Sequence, residues 1–323
     1  MDGFVSIIQA SISIAIVYLY GCIGEILNEK VGHLNLGIPG IMSIGALGGL
    51  VGINVYIAIF DPVYSTVGLL TMSILFAVIF SAIAGLIYAF FTITLKSNQN
   101  VVGLVLTTFG IGVMKGLGKI IYDSSAEGIA RYKNANVAIQ TLFPYENLGW
   151  FGKMFLSYGF LVYLAIFLAV CVHLLLKYSR VGLYARAIGE SPQTADAQGI
   201  NVDKYKYLFV IAGSAIAGIG GLYYAMDKTR GTSFLELDIA AFGWVAVALV
   251  IFSIWKPLFA ILGSLLFGFL YIIGSFVPKG NDAVFEILPY VVTIIVLIVT
   301  SIINKKGSQA PASLGVNYDR EER

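Results

Sequence analysis

Few residues of this 323-residue chain have the types and spacing that enzyme chemistry requires. A P-loop needs G-x-x-x-x-G-K-[ST], and the nearest approach, "GVMKGLGK" at 112–119, has the wrong spacing. A zinc protease needs H-E-x-x-H, which is absent; the two histidines, His33 and His173, stand far apart. Ser214 could serve an intramembrane serine protease, but no histidine has an obvious route to it. The sequence therefore predicts no catalytic residue, no metal site and no cofactor in this chain.

Composition places the chain among membrane proteins. Hydrophobic residues make up 58% of it and charged residues 12%, against roughly half and a quarter in ordinary soluble domains. A soluble protein of this composition could not cover its surface with polar groups. The net charge of +2 is too small to suggest a nucleic acid polymer as partner. Cys22 and Cys171 lie in apolar runs without a C-x-x-C motif, so neither a disulfide framework nor a zinc site is indicated.

Apolar runs long enough for a helix that crosses a bilayer, about 20 residues, recur along the chain. They predict an all-α, polytopic membrane helix bundle of about nine transmembrane helices: 4–23, 41–59, 67–95, 101–121, 155–176, 207–226, 239–254, 258–277 and 284–303. Residues 1–303 are predicted to form a single transmembrane domain, and 304–323 a polar cytoplasmic tail that is poorly ordered. Because Pro39 disfavours helical geometry in the residue before it, we expect the second span to begin with a bend.

The distribution of Lys and Arg predicts the orientation in the membrane. If the loop 177–206 is cytoplasmic, twelve of the 20 basic residues lie inside and six lie in outside loops. We therefore expect the N-terminus outside and the C-terminus in the cytoplasm.

One polar stretch, "RAIGESPQTADAQGINVDKYKY" at 186–207, separates two long apolar runs. Ser191 suits the N-cap of a helix, Pro192 its first turn, and Gly199 the position after its end. These residues predict a helix over 192–198. At about 1.5 Å per residue the helix is about 10 Å long, too short to cross a membrane. It is either a solvated linker or a small cytoplasmic helix that docks into a groove on another protein.

The polar stretch resembles the cytoplasmic loop of ABC importer permeases, in the superfamily that serves branched-chain amino acids, ribose-type sugars and nucleosides. The matching residues are Arg186, Gly189, Glu190, Pro192, Ala195, Gly199 and Ile200. Residues 24–49 and 243–268 resemble further motifs of that superfamily. The segment 288–299, together with the tail, is similar to the end of its nucleoside subgroup.

This resemblance implies a permease subunit of an ATP-driven importer in a bacterial cell membrane, with nucleosides as the solute. Simple sugars and branched-chain amino acids are the alternative solutes. It also implies that the loop 177–206 carries a coupling helix, which seats in a separate ATPase subunit that binds ATP and Mg²⁺. The other implied partners are a second, different permease and an extracellular or lipoprotein solute-binding protein. The chain departs from the superfamily at Pro39, where an acidic residue is common, and at Ser253-Ile254, where Gly-Arg is common.

Candidate residues of the solute path are polar or aromatic side chains within or beside the apolar spans. They are Asn35, Asn98, Asn100, Thr107, Thr108, Phe242 and Trp244. Helix packing or a place at the membrane interface is an ordinary alternative for each of them.

A stand-alone secondary transporter is the leading alternative function, and it requires a buried carboxylate or an ion-binding cluster. Glu25 is expected at a helix end, where its carboxylate reaches water. With no acidic residue expected mid-span, this alternative is disfavoured.

Overall fold

A computed structural model describes residues 2–61, 65–123, 126–140, 145–228, 236–273, 291–292, 294–295, 298 and 310–319. All regular secondary structure in these residues is helical. Six of the helices are long and apolar enough to cross a membrane. The prediction of an all-α, multi-pass membrane bundle is therefore confirmed.

The helices follow one another in the order α1 (Asp2–Lys30), α2 (Ile38–Phe60), α3 (Thr66–Ala89), α4 (Gln99–Asp123), α5 (Ala126–Gln140), α6 (Gly149–Phe155), α7 (Phe160–Tyr178), α8 (Arg180–Glu190), α9 (Pro192–Ala197), α10 (Val202–Tyr223), α11 (Glu236–Phe252) and α12 (Pro257–Ile273). A π-helical turn extends α3 to Thr94, and another extends α10 to Lys228. The spans implied by α3 and α10 are correspondingly long.

The core of the bundle consists of α1, α2 and α10, with α10 packing extensively against both α1 and α2. Most residues of these three helices are buried, whereas only about one third of those in α3, α4 and α7 are. Glycines allow the core helices to approach closely. A Cβ on Gly24 would lie 2.4 Å from the carbonyl oxygen of Gly213, and a Cβ on Gly45 would lie 2.4 Å from the Cα of Gly218. The glycine-rich segments 45–52 and 213–221 therefore serve helix packing, as small residues commonly do in membranes.

The predicted bend at the start of the second span is absent. Ile38 is already helical, and Pro39 lies in the first turn of α2. A proline is accepted there because the first amide groups of a helix have no acceptor within the helix.

The segments between the predicted spans contain more helix than the sequence indicated. The first helix continues to Lys30 instead of ending near residue 23, and α5 and α6 occupy a region expected to be a loop. Within the part of the chain that the structure describes, six helices have the length of a span, and α11 and α12 are shorter at 17 residues each. The predicted ninth span, 284–303, lies mostly outside the described residues.

The expectation of a poorly ordered tail was wrong for residues 310–319. This segment lies against the loops at one end of the bundle, where Ser313 N donates to Gly189 O at 2.9 Å and Gly315 N donates to Gly32 O at 3.1 Å. Its polar side chains bond to the protein and not only to water. The number of polar residues in a sequence does not show whether they bond to protein or to water, so it could not predict that this segment is ordered.

Candidate functional site

Three side-chain caps shape the polar insert that follows α7. Ser179 Oγ accepts a hydrogen bond from Gly182 N at 2.9 Å and begins α8. Ser191 Oγ accepts from Thr194 N at 3.3 Å and begins α9, and Asn201 Oδ1 accepts from Lys204 N at 3.0 Å and begins α10. Such caps satisfy amide groups that would otherwise lack an acceptor. The insert is consequently three defined helices rather than a loose linker.

The short helix α9 has one side packed and one side open. Pro192 and Ala195 are buried against the neighbouring helices, while Gln193, Thr194 and Ala197 are exposed. Gly199 follows the helix with a φ of 79°, a left-handed conformation that glycine adopts at low cost. The helix ends at Ala197, one residue before the predicted end. Its exposed side chains are small enough to fit a groove on another protein.

Three of the six predicted coupling residues are buried within the bundle, and the other three are exposed on its surface. Gly189, Pro192 and Ala195 are buried, and a Cβ on Gly189 would lie 2.4 Å from the carbonyl oxygen of Lys30. Arg186, Glu190 and Gly199 are exposed. Gly189 lets α8 lie close to the end of α1, and α9, which carries Pro192 and Ala195, packs against α8 and α10, whereas the exposed members are accessible to a partner.

Glu25 does not reach water, contrary to the sequence-based expectation. Its side chain is fully buried, with Oε1 accepting from Asn35 N at 2.8 Å and Oε2 accepting from Asn28 Nδ2 at 2.7 Å. Glu29, one turn further along α1, is also buried and accepts from Trp255 Nε1. Internal donors therefore replace water around both carboxyl groups, which is the condition for burying such groups. Both carboxyl groups hold the α1–α2 loop and the α11–α12 turn against α1.

The donor to Glu29 is presented by a strained turn. Ile254 and Trp255 have φ values of 54° and 53°, which are uncommon for residues other than glycine and most costly for a β-branched one. The strain is offset by burial of the Trp255 indole, which bonds Glu29 on α1. The spacing of Glu25 and Glu29, four residues apart on one helix face, is the sequence signal that could have indicated this cluster.

Replacing Trp255 with Phe should destabilise the protein, because Glu29 then loses its donor while remaining buried. Removing a partner from a buried polar group costs about 1–3 kcal/mol, or several °C in the unfolding midpoint of the purified protein. Trp150→Phe is the matched control, since Trp150 is 60% exposed on α6. Equal shifts in the two midpoints would contradict a supporting role for the indole.

The candidate catalytic side chains of the sequence are not assembled into a catalytic site. His33 is buried, and burial, with a further contribution from the ammonium group of Lys206, lowers the pKa of His33 well below its usual value of 6.5. Its imidazole is thus neutral at pH 7. Ser214 Oγ lies against α3, where a Cβ on Gly85 would approach it to 2.4 Å. Among the described residues, no three His, Cys, Asp or Glu side chains are placed to hold a metal ion.

The predicted solute-path residues lie in different parts of the bundle. Asn35 belongs to the carboxylate cluster, and Thr107 Oγ1 donates to Leu36 O at 2.7 Å. Asn98, Asn100 and Thr108 are exposed at or along α4. The two aromatic candidates of α11 also differ, since Trp244 is partly exposed whereas Phe242 is buried in a ring cluster with Tyr18, Tyr224 and Tyr271.

A polar cavity of about 280 Å³ lies at the end of the bundle opposite α9. It lies between α1, α5, α10 and the start of α7. Its lining combines aromatic rings, amides, hydroxyl groups and a carboxyl group, from Gln9, Asn136, Ser157, Tyr158, Tyr223 and Asp227. Asp227 Oδ1 accepts a hydrogen bond from Tyr132 OH at 3.1 Å. Asp227 is the next-to-last residue of the span Val202–Lys228, and Glu25 and Glu29 lie within the last six residues of α1, so these three buried carboxyl groups stand near helix ends and not in the middle of a span.

Comparisons with known proteins agree with the resemblance noted in the sequence. NupC of Lactococcus lactis, a nucleoside ABC transporter permease, is 31% identical over 307 residues, which cover 93% of this chain and 92% of NupC. NupQ of Bacillus subtilis, a guanosine ABC transporter permease, is 30% identical over 325 residues, with 98% and 97% covered. TsgC13 of Haloferax volcanii, named for glucose transport, is 31% identical over 274 residues, with 84% and 77% covered.

The family model that matches this chain is described as the permease component of the branched-chain amino acid transport system, and the match spans residues 7–297. This range includes nearly all of the described helices. The chain therefore belongs to the branched-chain amino acid transport system permease family, as a multi-pass membrane protein of the ABC transporter permease type.

Proposed function

We propose that this chain is the membrane-spanning subunit of an ATP-driven importer for nucleosides. The observation that carries the proposal is the capped, outward-facing helix α9 on a bundle that belongs to a permease family. Two permeases of nucleosides are similar to the chain over more than nine tenths of its length. ATP and Mg²⁺ bind to a partner ATPase, which contacts the exposed side of α9 from the cytoplasm. The N-terminus then lies outside the cell and the C-terminus inside.

Coupling follows from how α9 is attached to the bundle. It packs mainly against α8 and α10, and α10 belongs to the core with α1 and α2. When the ATPase subunits bind ATP more tightly in one state than in the other, the populations of the two states shift. A displacement of α9 thereby reaches the core through α10, and the bundle opens first to one side of the membrane and then to the other.

A second permease would pack on the open face of α4. A Cβ added to Gly112 or to Gly116 would meet no atom within 4 Å, and Thr108 is exposed one turn before Gly112. Small residues at this spacing allow a second helix to approach closely in a membrane. The exposed Asn100 and Thr108 would then face the interface between the two permeases, where a polar solute could pass. A solute-binding protein would deliver the solute at the opposite end from α9.

Nucleosides suit the polar cavity at that opposite end. An uncharged nucleoside presents hydroxyl groups, ring nitrogens and an aromatic face. The cavity offers the rings of Tyr158 and Tyr223 beside the amide of Asn136 and the carboxyl group of Asp227. Such a combination of aromatic surface with a few polar groups is typical of small-molecule sites.

Uptake of labelled guanosine tests the solute assignment. Cells that express this chain with its ATPase, second permease and binding protein should accumulate guanosine in an ATP-dependent manner. Unlabelled nucleosides should compete at concentrations at which ribose and leucine have no effect, because a site that hydrogen-bonds one solute leaves polar groups unpaired with another. Equal competition by ribose or by leucine would instead assign the chain to one of the alternative solutes.

A further inference from the structure

The segment 310–319, here called the strap, runs across the loops at the α9 end of the bundle. Its backbone bonds to the end of one helix and to one loop, since Ser313 N donates to Gly189 O at 2.9 Å and Gly315 N donates to Gly32 O at 3.1 Å. Ser313 Oγ adds a bond to the same Gly189 oxygen at 2.7 Å. The strap thus joins the end of α8, just before the coupling helix, to the loop between α1 and α2.

Two glycines make room for the strap. A Cβ on Gly32 would lie 2.5 Å from Ser313 Oγ, and Gly32 has a φ of 85°. A Cβ on Gly189 would lie 2.4 Å from Lys30 O and 3.2 Å from Pro311 Cβ. Side chains at either position would displace the strap or the loop beneath it. The fit gives Gly189, one of the predicted coupling residues, a definite structural role.

The strap is also anchored to the loop between α3 and α4. Asn317 Nδ2 donates to Lys96 O at 2.5 Å and to Ser97 O at 3.1 Å, and Asn317 Oδ1 accepts from Gln99 Nε2 at 3.1 Å. Lys96 has a left-handed φ of 50°, and its Nζ lies 2.6 Å from Asp319 Oδ2. Asn317 therefore uses both the nitrogen and the oxygen of its side-chain amide to connect the strap to this loop and to the start of α4.

The strap finally contacts the coupling helix itself. Tyr318 OH donates to Asp196 Oδ2 on α9 at 2.9 Å. The Lys206 ammonium group, on α10, lies 5.9 Å from the centre of the Tyr318 ring, within the range of a cation–π contact. The strap therefore touches α9, the end of α8, α10 and the loops that precede α2 and α4.

We propose that the strap is a coupling element, which transmits displacement of α9 to the ends of α1, α2, α3 and α4. Through its own helical neighbours, α9 reaches the bundle mainly by α8 and α10. The strap adds a second connection, which makes the loops before α2 and α4 move together with α9. This inference rests on the proposed function, because it presupposes that a partner ATPase displaces α9.

The test compares Tyr318→Phe with Tyr178→Phe in the purified complex of this chain with its ATPase and second permease. Tyr318→Phe removes only the hydroxyl group that bonds Asp196, whereas Tyr178 is 71% exposed. ATP hydrolysis and guanosine uptake are measured in proteoliposomes. In the Tyr318→Phe complex, guanosine imported per ATP hydrolysed should fall at least about fivefold, the lower end of the usual range for coupling between sites. ATP hydrolysis itself should continue, and the control should match the unsubstituted complex.

Normal uptake per ATP hydrolysed in Tyr318→Phe would overturn the strap proposal. So would a fall shared by Tyr178→Phe. Asn317→Ala is a second variant with the same expectation, and the thermal unfolding midpoint of each complex identifies any variant that fails to fold. If the unsubstituted complex hydrolyses ATP but imports no nucleoside, the proposed solute is wrong. That result is distinct from failure of the strap, which is judged only against a working complex.

Discussion

A chain carrying Gln193→Trp should insert into the membrane normally and lose ATP-driven uptake. Gln193 lies on the exposed side of α9, away from the buried Pro192 and Ala195, so the indole projects toward the partner and not into the bundle. Blocking a central docking contact costs about 2 kcal/mol or more, which corresponds to about thirtyfold weaker binding of the ATPase. Uptake of labelled guanosine by cells that express the full complex provides the measurement.

Leu148→Trp is the control for Gln193→Trp. Leu148 is 54% exposed in the short turn before α6, away from α9, so the same bulk is added to a surface that the ATPase does not contact. This variant should retain the ATPase as the unsubstituted chain does. Co-purification of the ATPase with each variant then separates failed docking from failed transport. Normal uptake by Gln193→Trp would show that α9 is not the docking helix.

A Gly221→Ala chain should be strongly destabilised, although only one methyl group is added. A Cβ on Gly221 would lie 1.8 Å from Met42 O and 2.7 Å from Met42 C, which are backbone atoms of the neighbouring helix α2. Neither helix can yield without disturbing the core of α1, α2 and α10. Overpacking of this kind costs about 1–3 kcal/mol and sometimes more. The thermal unfolding midpoint of the purified protein should fall accordingly.

Gly112→Ala is the matched control for Gly221→Ala, since a Cβ on Gly112 would meet nothing within 4 Å. Alanine is favoured over glycine inside a helix by roughly 0.5–1 kcal/mol, so the midpoint of this variant should stay the same or rise slightly. A similar fall for both variants would indicate that the loss reflects glycine content in general and not contact between α2 and α10.

The helix α9 could be predicted because its capping residues are close in sequence. The partners of the buried glutamates could not be predicted, because they lie far away in sequence. Ser191, Pro192 and Gly199 act on the backbone within a few residues, and the structure places each as the sequence indicated. The partners of Glu25 and Glu29 come from other segments. Asn35 lies 10 residues beyond Glu25, and Trp255 lies 226 residues beyond Glu29. The sequence-based expectation treated an isolated glutamate at a helix end as hydrated, because its donors were not visible nearby.

The order of the strap also depends on partners that are distant in sequence. The strap belongs to the predicted tail 304–323, whose many charged and small polar residues are typical of disordered ends. Asn317 and Tyr318 nevertheless find acceptors in segments 122 to 221 residues away. The predicted solute-path residues stay a prediction, since Asn35, Thr108 and Phe242 lie in three separate environments of this chain. A path between two permeases would be formed only when both are assembled.

The most direct measurement compares proteoliposomes that contain this chain alone with proteoliposomes that contain the whole complex. We expect the chain alone to hydrolyse no ATP and to accumulate no guanosine, with or without an ion gradient, because it lacks a P-loop and the carboxyl groups of Glu25 and Glu29 are bonded internally. The complex should do both when ATP is supplied on the α9 side. Accumulation by the chain alone, driven by an ion gradient, would contradict the account.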